Sequence, residues 1–399
     1  MTEAARAPAA GAPAVLLAPR DKRRSLAAVI ASISISGITL GLGAPLLSIL
    51  LKRDGVDETL IGLSAAVAAI ASLAVAPLVP KAIRRFGTAA TMNAGLALIL
   101  IATLLLPVFP NVWAWFPIRF AVGAGASILF IVSETWINQI VHNAERGRAM
   151  GLYIMALSAG IAAGPLVLIA TGTDGWPPFL ACAGLYLVAA VPIVLAWNLA
   201  PVVAGHPSAE IVRYVRLAPI GTGAGFMLGL IDTAVVALFP LYAFGAGIAP
   251  DTAMVLLAIY TAGGIVIPPL TGILADRFDR TTVLCGAGVL TLASLVLLIW
   301  AIDDRVLCAL AVFVLGGGAA SLYAVGLALL GQRFAGADLA AVNAVMISMF
   351  SAGSVLGPAA TGAAMDAAGG IGFPASLSLA LAAYLVLVLV RLRREPAVR

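Results

Sequence analysis

Three ionisable residues stand inside long apolar runs: Arg119, Glu134 and Asp232. If those runs cross a bilayer, a charge near the centre costs at least ~2.5–3.5 kcal/mol on insertion scales, so each should face a polar cavity or a partner. A carboxylate held there can carry a proton, and an arginine can hold an anion. A second cluster is the stretch "GILADRFDR" (272–280), which sets Asp276, Arg277, Asp279 and Arg280 between two apolar runs in a chain only 10% charged. Charges so placed either latch two helices together or form a solvated basic turn. No Gly-rich phosphate loop, nucleophile–base arrangement or metal-ligand cluster accompanies them, so neither an enzyme nor a cofactor or metal is expected. His142 and His206 are isolated in polar segments and read as solvated. Cys182, Cys285 and Cys308 are odd in number and sit in apolar runs, as packing residues do.

The elements that position these residues follow from composition. The chain has 399 residues, is 62% hydrophobic and has a mean hydropathy of +1.10, too apolar for a soluble protein. Nothing alternates as in an outer-membrane barrel, which leaves helices as the way to satisfy the backbone in lipid. Runs long enough to span occur at 25–50, 58–79, 88–107, 113–139, 148–171 and 177–200. A second set occurs at 217–243, 252–275, 281–301, 306–331, 339–363 and 371–391. The expected fold is an all-α membrane protein of twelve spans. Residues 1–24 form a tail expected to be mobile, 25–200 and 217–391 two six-helix bundles, 201–216 a linker and 392–399 a second tail. Trp113, Trp115, Trp176 and Trp300 mark one interface, and Trp136 and Trp197 the other.

Lys and Arg gather on one set of loops, among them Lys22, Lys81, Arg84, Arg85, Arg146, Arg148, Arg216, Arg277, Arg280, Arg333 and Arg391. Only Lys52, Arg53 and Arg305 lie on the other side. This bias places both termini in the cytosol, with the protein in the inner membrane. It also accounts for the net charge of +5 without a nucleic-acid partner. The expected partners are lipid, a small molecule and protons, with the monomer as the functional unit.

The two sets of runs are related. "SAGIAAGP" (158–165) and "SAGSVLGP" (351–358) match at most positions, and the same offset aligns Gly123 and Gly125 with Gly316 and Gly318. One residue less aligns "PLVPKAIRRFG" (77–87) with "PLTGILADRFD" (269–279). A parallel repeat of six helices is an architecture of alternating-access carriers. On these residues the chain resembles the major facilitator superfamily over 25–394. "GILADRFDR" resembles its cytosolic loop motif, and the first-half copy is degraded, with Pro80 in place of the Gly and Arg84 in place of the Asp. "RFAVGAG" (119–125) resembles its fourth-span Arg-x-x-x-Gly-x-Gly motif. "GIAAGP" (160–165), with Gly160, Gly164 and Pro165, resembles the fifth-span motif of proton-coupled exporters, and Gly353, Gly357 and Pro358 repeat it. "SETWIN" (133–138) with "ERGR" (145–148) is similar to a poorly characterised bacterial subgroup.

The resemblance implies secondary transport, with export of an organic or amphipathic compound favoured over uptake by symport. It implies that spans 1, 4, 7 and 10 line a central cavity, where Arg119 and Asp232 would meet. Counted at 1.5 Å per residue, Arg119 lies about 9 Å below one edge, and Asp232 lies about 22 Å from the other, a similar depth. Ser32, Ser36 and Thr39 could add hydroxyls. Glu134 falls at the cytosolic edge, about 31 Å along its span, as a partner of Arg146 or Arg148 or as a proton relay. Gly272 is expected to allow a close helix approach, and Asp276 to sit against the start of span 5 beside Arg146 and Arg148. With signs swapped, Arg84 or Arg85 would meet Asp338.

Overall fold

The computed structural model describes residues 18–141, 143–201, 215–302, 304–334 and 336–394, without the side chains of 143–148, 336, 337, 339–341 and 394. The first half comprises α1 (Pro19–Arg53), α2 (Glu58–Val75), α3 (Val79–Phe86), α4 (Thr88–Val108), α5 (Val112–Ile140), α6 (Asn143–Thr171) and α7 (Pro177–Leu195). The second comprises α8 (Pro219–Gly245), α9 (Pro250–Arg277), α10 (Arg280–Ala301), α11 (Arg305–Arg333), α12 (Gly336–Ala368) and α13 (Gly372–Arg394). No strand occurs among the described residues. Among the described residues eleven segments are long and apolar enough to cross a membrane, and the last, Val342–Arg393, runs through most of α12 and α13.

Several boundaries differ from those expected. α1 starts at Pro19, inside the expected tail, with proline in the first turn, where its missing N–H costs nothing. The second span is broken at 76–78: Pro77 and Pro80 each lack an N–H and crowd the preceding turn. The short α3 that follows packs on α4 and α5, and Gly87 adopts φ +86° to turn the chain into α4. Two tryptophans are packing residues rather than interface anchors. Trp136 is fully buried and donates from Nε1 to Ser25 Oγ at 2.8 Å. Trp115 is buried and donates to Phe109 O at 2.8 Å and Leu106 O at 3.1 Å, carbonyls at the end of α4 that lack helical partners. Trp113 and Trp300 remain exposed.

The internal repeat is visible as two equivalent packings. In the first half α6 lies on α1 so closely that a Cβ at Gly160 would come within 2.1 Å of Ser34 O. A Cβ at Gly164 would come within 2.4 Å of the Gly41 carbonyl carbon. In the second half Gly353 and Gly357 hold α12 against α8 in the same way, at 2.0 Å from Phe226 O and 2.2 Å from Leu230 O. Gly123 and Gly316 repeat the relation between the α5–α2 and α11–α9 pairs. Small residues thus set the helix spacing where lipid supplies no hydrophobic drive.

Gly164→Ala is therefore expected to destabilise the protein by about 1–3 kcal/mol, because the obstructing atoms are backbone. Gly286→Ala, on α10 with nothing within 4 Å of the added carbon, should be neutral or stabilising by up to about 1 kcal/mol. Thermal unfolding in detergent compares the two.

Candidate functional site

The two halves meet through α2 with α12, α6 with α9, and α1 with α8. Two acids stand in spanning helices near this division, and both are partly accessible. Asp232 on α8 accepts a hydrogen bond from Tyr260 Oη of α9 at 3.1 Å. Among the described residues no cation pairs with it. Glu134 on α5 acts electrostatically on Tyr153 of α6 and on Tyr323 of α11, so its field reaches the opposite half. Tyr153 Oη is also 3.0 Å from Ser133 Oγ, and Tyr323 packs edge-on against Phe350 of α12. Asp232 therefore has a phenol as its described partner, a setting in which a proton can be exchanged without breaking an ion pair; the side chains of Arg146 and Arg148, the expected partners of Glu134, are not described.

Arg119 is not brought to Asp232. It lies 5% exposed within the first half, its Nη1 has no hydrogen-bond partner among the described residues, and it lines a cavity whose described walls are all first-half residues. Equal depth on two helices does not set the direction in which each side chain points. Of the hydroxyls expected nearby, Ser36 donates to Ser32 O at 2.9 Å and Thr39 to Ser36 O at 2.7 Å, both within α1. Ser32 Oγ is buried without a partner.

The halves are joined tightly at the end opposite the basic loops. A Cβ at Gly62 of α2 would lie 2.0 Å from Pro358 O of α12, and one at Gly362 of α12 would lie 2.2 Å from Glu58 O. Here the first turn of α2 is completed from across the division. Its own cap, Asp57, accepts from Leu60 N at 2.7 Å. Asp366 of α12 accepts from Glu58 N at 2.9 Å and Thr59 N at 2.7 Å, and the Thr59 hydroxyl donates to it as well. Three N–H groups that no helix can satisfy internally are thus taken up by two carboxylates, at the end where the helix dipole favours an anion. Lys52 pairs with Glu58, and Arg53 with Asp174 and Thr173, around the same rim.

The basic end is looser. Nothing approaches Gly272 within 4 Å, so the close contact expected there is absent in this conformation. Asp276 is 78% exposed, and its described contact is Arg280 Nη2, 3.9 Å away. Asp279 and Arg280 prove to be local devices. Asp279 caps α10 through Thr282 N at 2.8 Å, and Arg280 Nη1 donates to Ala328 O of α11 at 2.6 Å. Arg277, Arg84 and Arg85 are exposed, the last stacked over Phe86. Asp338 is exposed, and Arg84 is not its partner. The side chains of Arg146 and Arg148 are not described, and His142 and His206 lie outside the described residues.

This arrangement has close relatives of known family. The family model for the Major Facilitator Superfamily matches residues 2–218 and again 221–399. The chain belongs to that superfamily. The superfamily's members are secondary transporters that work by alternating access. The chain is 26% identical over 336 residues to the uncharacterised MFS-type transporter YfkF of Bacillus subtilis, covering 83% of this chain and 86% of that one. It is also 26% identical over 257 residues to the MFS-type transporter YcaD of Escherichia coli, covering 64% and 66%. Among solved structures, the nucleoside transporter NupG superposes with a TM-score of 0.74 at 13% identity, covering 94% of this chain and 99% of that one. A bacterial homologue of the human lysosomal transporter Spinster, inward-facing and unoccupied, superposes with a TM-score of 0.69 at 12% identity over 94% and 96%. At these identities the two structures speak for the fold alone.

Within this superfamily fold, sequence reasoning missed Tyr260, Tyr153 and Tyr323 as neighbours of the acids, since neutral phenols in apolar runs carry no charge signal. It also missed Asp366, because span 11 was expected to end at 363 whereas α12 continues to Ala368. The lone acid in "AAMDAAGG" was the available clue.

Proposed function

We propose that this transporter is proton-coupled, lies in the inner membrane with both termini in the cytosol, and exports an organic or amphipathic compound in exchange for protons. Asp232 carries the reading: a carboxylate in a spanning helix, partly accessible, beside a phenol and with no cation paired to it among the described residues. A group so placed can take a proton when the path opens to one side and release it when it opens to the other. Export over symport rests on "GIAAGP", whose glycines set the α6–α1 spacing. The close packing of α2 on α12 and the exposure of Asp276 support a conformation open to the cytosol.

Proteoliposomes with an acidic lumen and an internal pH dye test this. Adding a substrate outside should drive protons out by exchange. Proton entry with the compound would mean symport, and proton flux indifferent to every amphipathic compound tried would contradict coupling.

In the opposite conformation Asp276 should reach the start of α6, and Arg84 should reach Asp338. Arg84→Asp is then expected to slow transport about tenfold, and adding Asp338→Arg should restore much of it, since groups in contact are not additive. Uptake assays on the two single variants and the double variant measure this coupling. Two independent losses would argue that the groups never meet.

A further inference from the structure

Between α1, α2, α4, α5 and α7 the first half forms a half-open cavity of about 130 Å³. Arg119 forms part of its wall. The residue is 5% exposed, and Nη1 is buried with no hydrogen-bond acceptor among the described residues. A guanidinium keeps its charge under any ordinary condition and offers five donors in a flat fork. A buried charge with no partner is costly, and native structures tend to supply one. None of the described lining residues is acidic, so the protein itself brings no counter-charge. The missing partner is an anion.

The rest of the wall narrows its identity. Thr103, whose hydroxyl has no described protein partner, lines the same space. The Thr39 hydroxyl donates to Ser36 O at 2.7 Å, so its hydrogen is already engaged, and Tyr186 lines the wall beside it. Leu106 and Phe179 close the remaining sides with apolar surface. A water's share of liquid volume is about 30 Å³, so the cavity has room for a ligand of only a few heavy atoms. A polar head matched to a planar fork, on a short apolar body, describes a short-chain carboxylate.

We propose that this cavity is a binding site for a short-chain monocarboxylate of acetate to butyrate size. Its carboxylate lies on the Arg119 guanidinium and the Thr103 hydroxyl, and its alkyl part against Leu106 and Phe179. Carboxylate and guanidinium match as a two-bond pair, a geometry that a spherical anion cannot exploit. The site is separate from Asp232 and Glu134, and its existence does not depend on the direction or coupling of transport.

Thermal unfolding of the purified full-length protein in detergent tests the site without a transport assay. Sodium acetate, propionate and butyrate are titrated against sodium chloride and sodium gluconate at constant ionic strength, gluconate being a carboxylate too large for the cavity. Propionate should raise the unfolding midpoint saturably, and gluconate should leave it unchanged. Arg119→Met should fold, since it removes an orphan charge, and should lose the propionate response. Arg119→Lys keeps a charge but not the fork, and should weaken the apparent affinity at least tenfold. Should the Met variant fail to fold, the Lys variant supplies the comparison. The proposal is overturned by equal shifts with all five sodium salts, by a chloride response matching that of propionate, or by no response in the wild type. An unchanged propionate response in either Arg119 variant would overturn it as well.

Discussion

Asp232→Asn should abolish transport driven by a proton gradient while leaving exchange of substrate across the membrane intact. A pH difference of one unit is worth about 1.4 kcal/mol, which for one proton per substrate supports about a tenfold concentration ratio. In the Asn variant that ratio should fall to unity. Asparagine keeps the size of the side chain and can still accept from Tyr260 Oη, so the packing of α8 on α9 should survive. Exchange of labelled for unlabelled substrate without a gradient needs only the conformational cycle, and should continue. Gradient-driven accumulation equal to wild type in Asp232→Asn would remove Asp232 from the proton path. Glu134, beside Tyr153 and Tyr323, would then be the residue to test.

The second large effect concerns Asp366. Its carboxylate bridges the halves by accepting from two backbone N–H groups and one hydroxyl at the start of α2. Asp366→Asn removes the charge and turns one oxygen into a donor that faces N–H groups. Hydrogen bonds to a charged group are worth about 1.5–3 kcal/mol each when protected, and much less in water. For this exposed rim, about 1–2 kcal/mol in total is the reasonable scale. The population closed at this end should therefore fall about five- to thirtyfold relative to the population open there. Spin labels at Asp54→Cys and Ala368→Cys, with the three native cysteines replaced, would report a longer distance between α1 and α12. Asp57→Asn, which alters a cap made within the first half, should leave that distance unchanged. An equal effect of both substitutions would mean that the helix start matters only for stability.

Much of the fold was legible because lipid imposes a simple rule: spans must be about 20 apolar residues long, and Lys and Arg mark one side. The repeat was legible for a related reason. Glycines at 160 and 164, and again at 353 and 357, are needed wherever two backbones touch, and those contacts recur in both halves. Facing was harder to read. Apolar residues surround these helices on the lipid side as well as the core side, so no polar stripe reveals which way a residue points. Arg119 was set beside Asp232 by counted depth but points into its own half, and Trp136 was given to the interface although it is buried against Ser25. "GILADRFDR" looked like one device and is at least two, since Asp279 and Arg280 serve α10 and α11 while Asp276 stays exposed. A sequence gives one conformation no preference over another. The openness around Gly272 is a property of the state, and Gly272 becomes a contact only if the basic end closes.

That closure is the centre of the account: the α2–α12 contact at one end and the basic loops at the other should open and close in opposition. Two label pairs measured under the same conditions test it directly. One pair, Asp54→Cys with Ala368→Cys, spans the clasped end. The other, Arg85→Cys with Arg333→Cys, spans the basic end. Double electron–electron resonance across a pH series should show two populations at each pair, with the short distance at one end gaining weight as the short distance at the other loses it. Distances that stay fixed at both ends, or that lengthen together, would contradict alternating access in this chain.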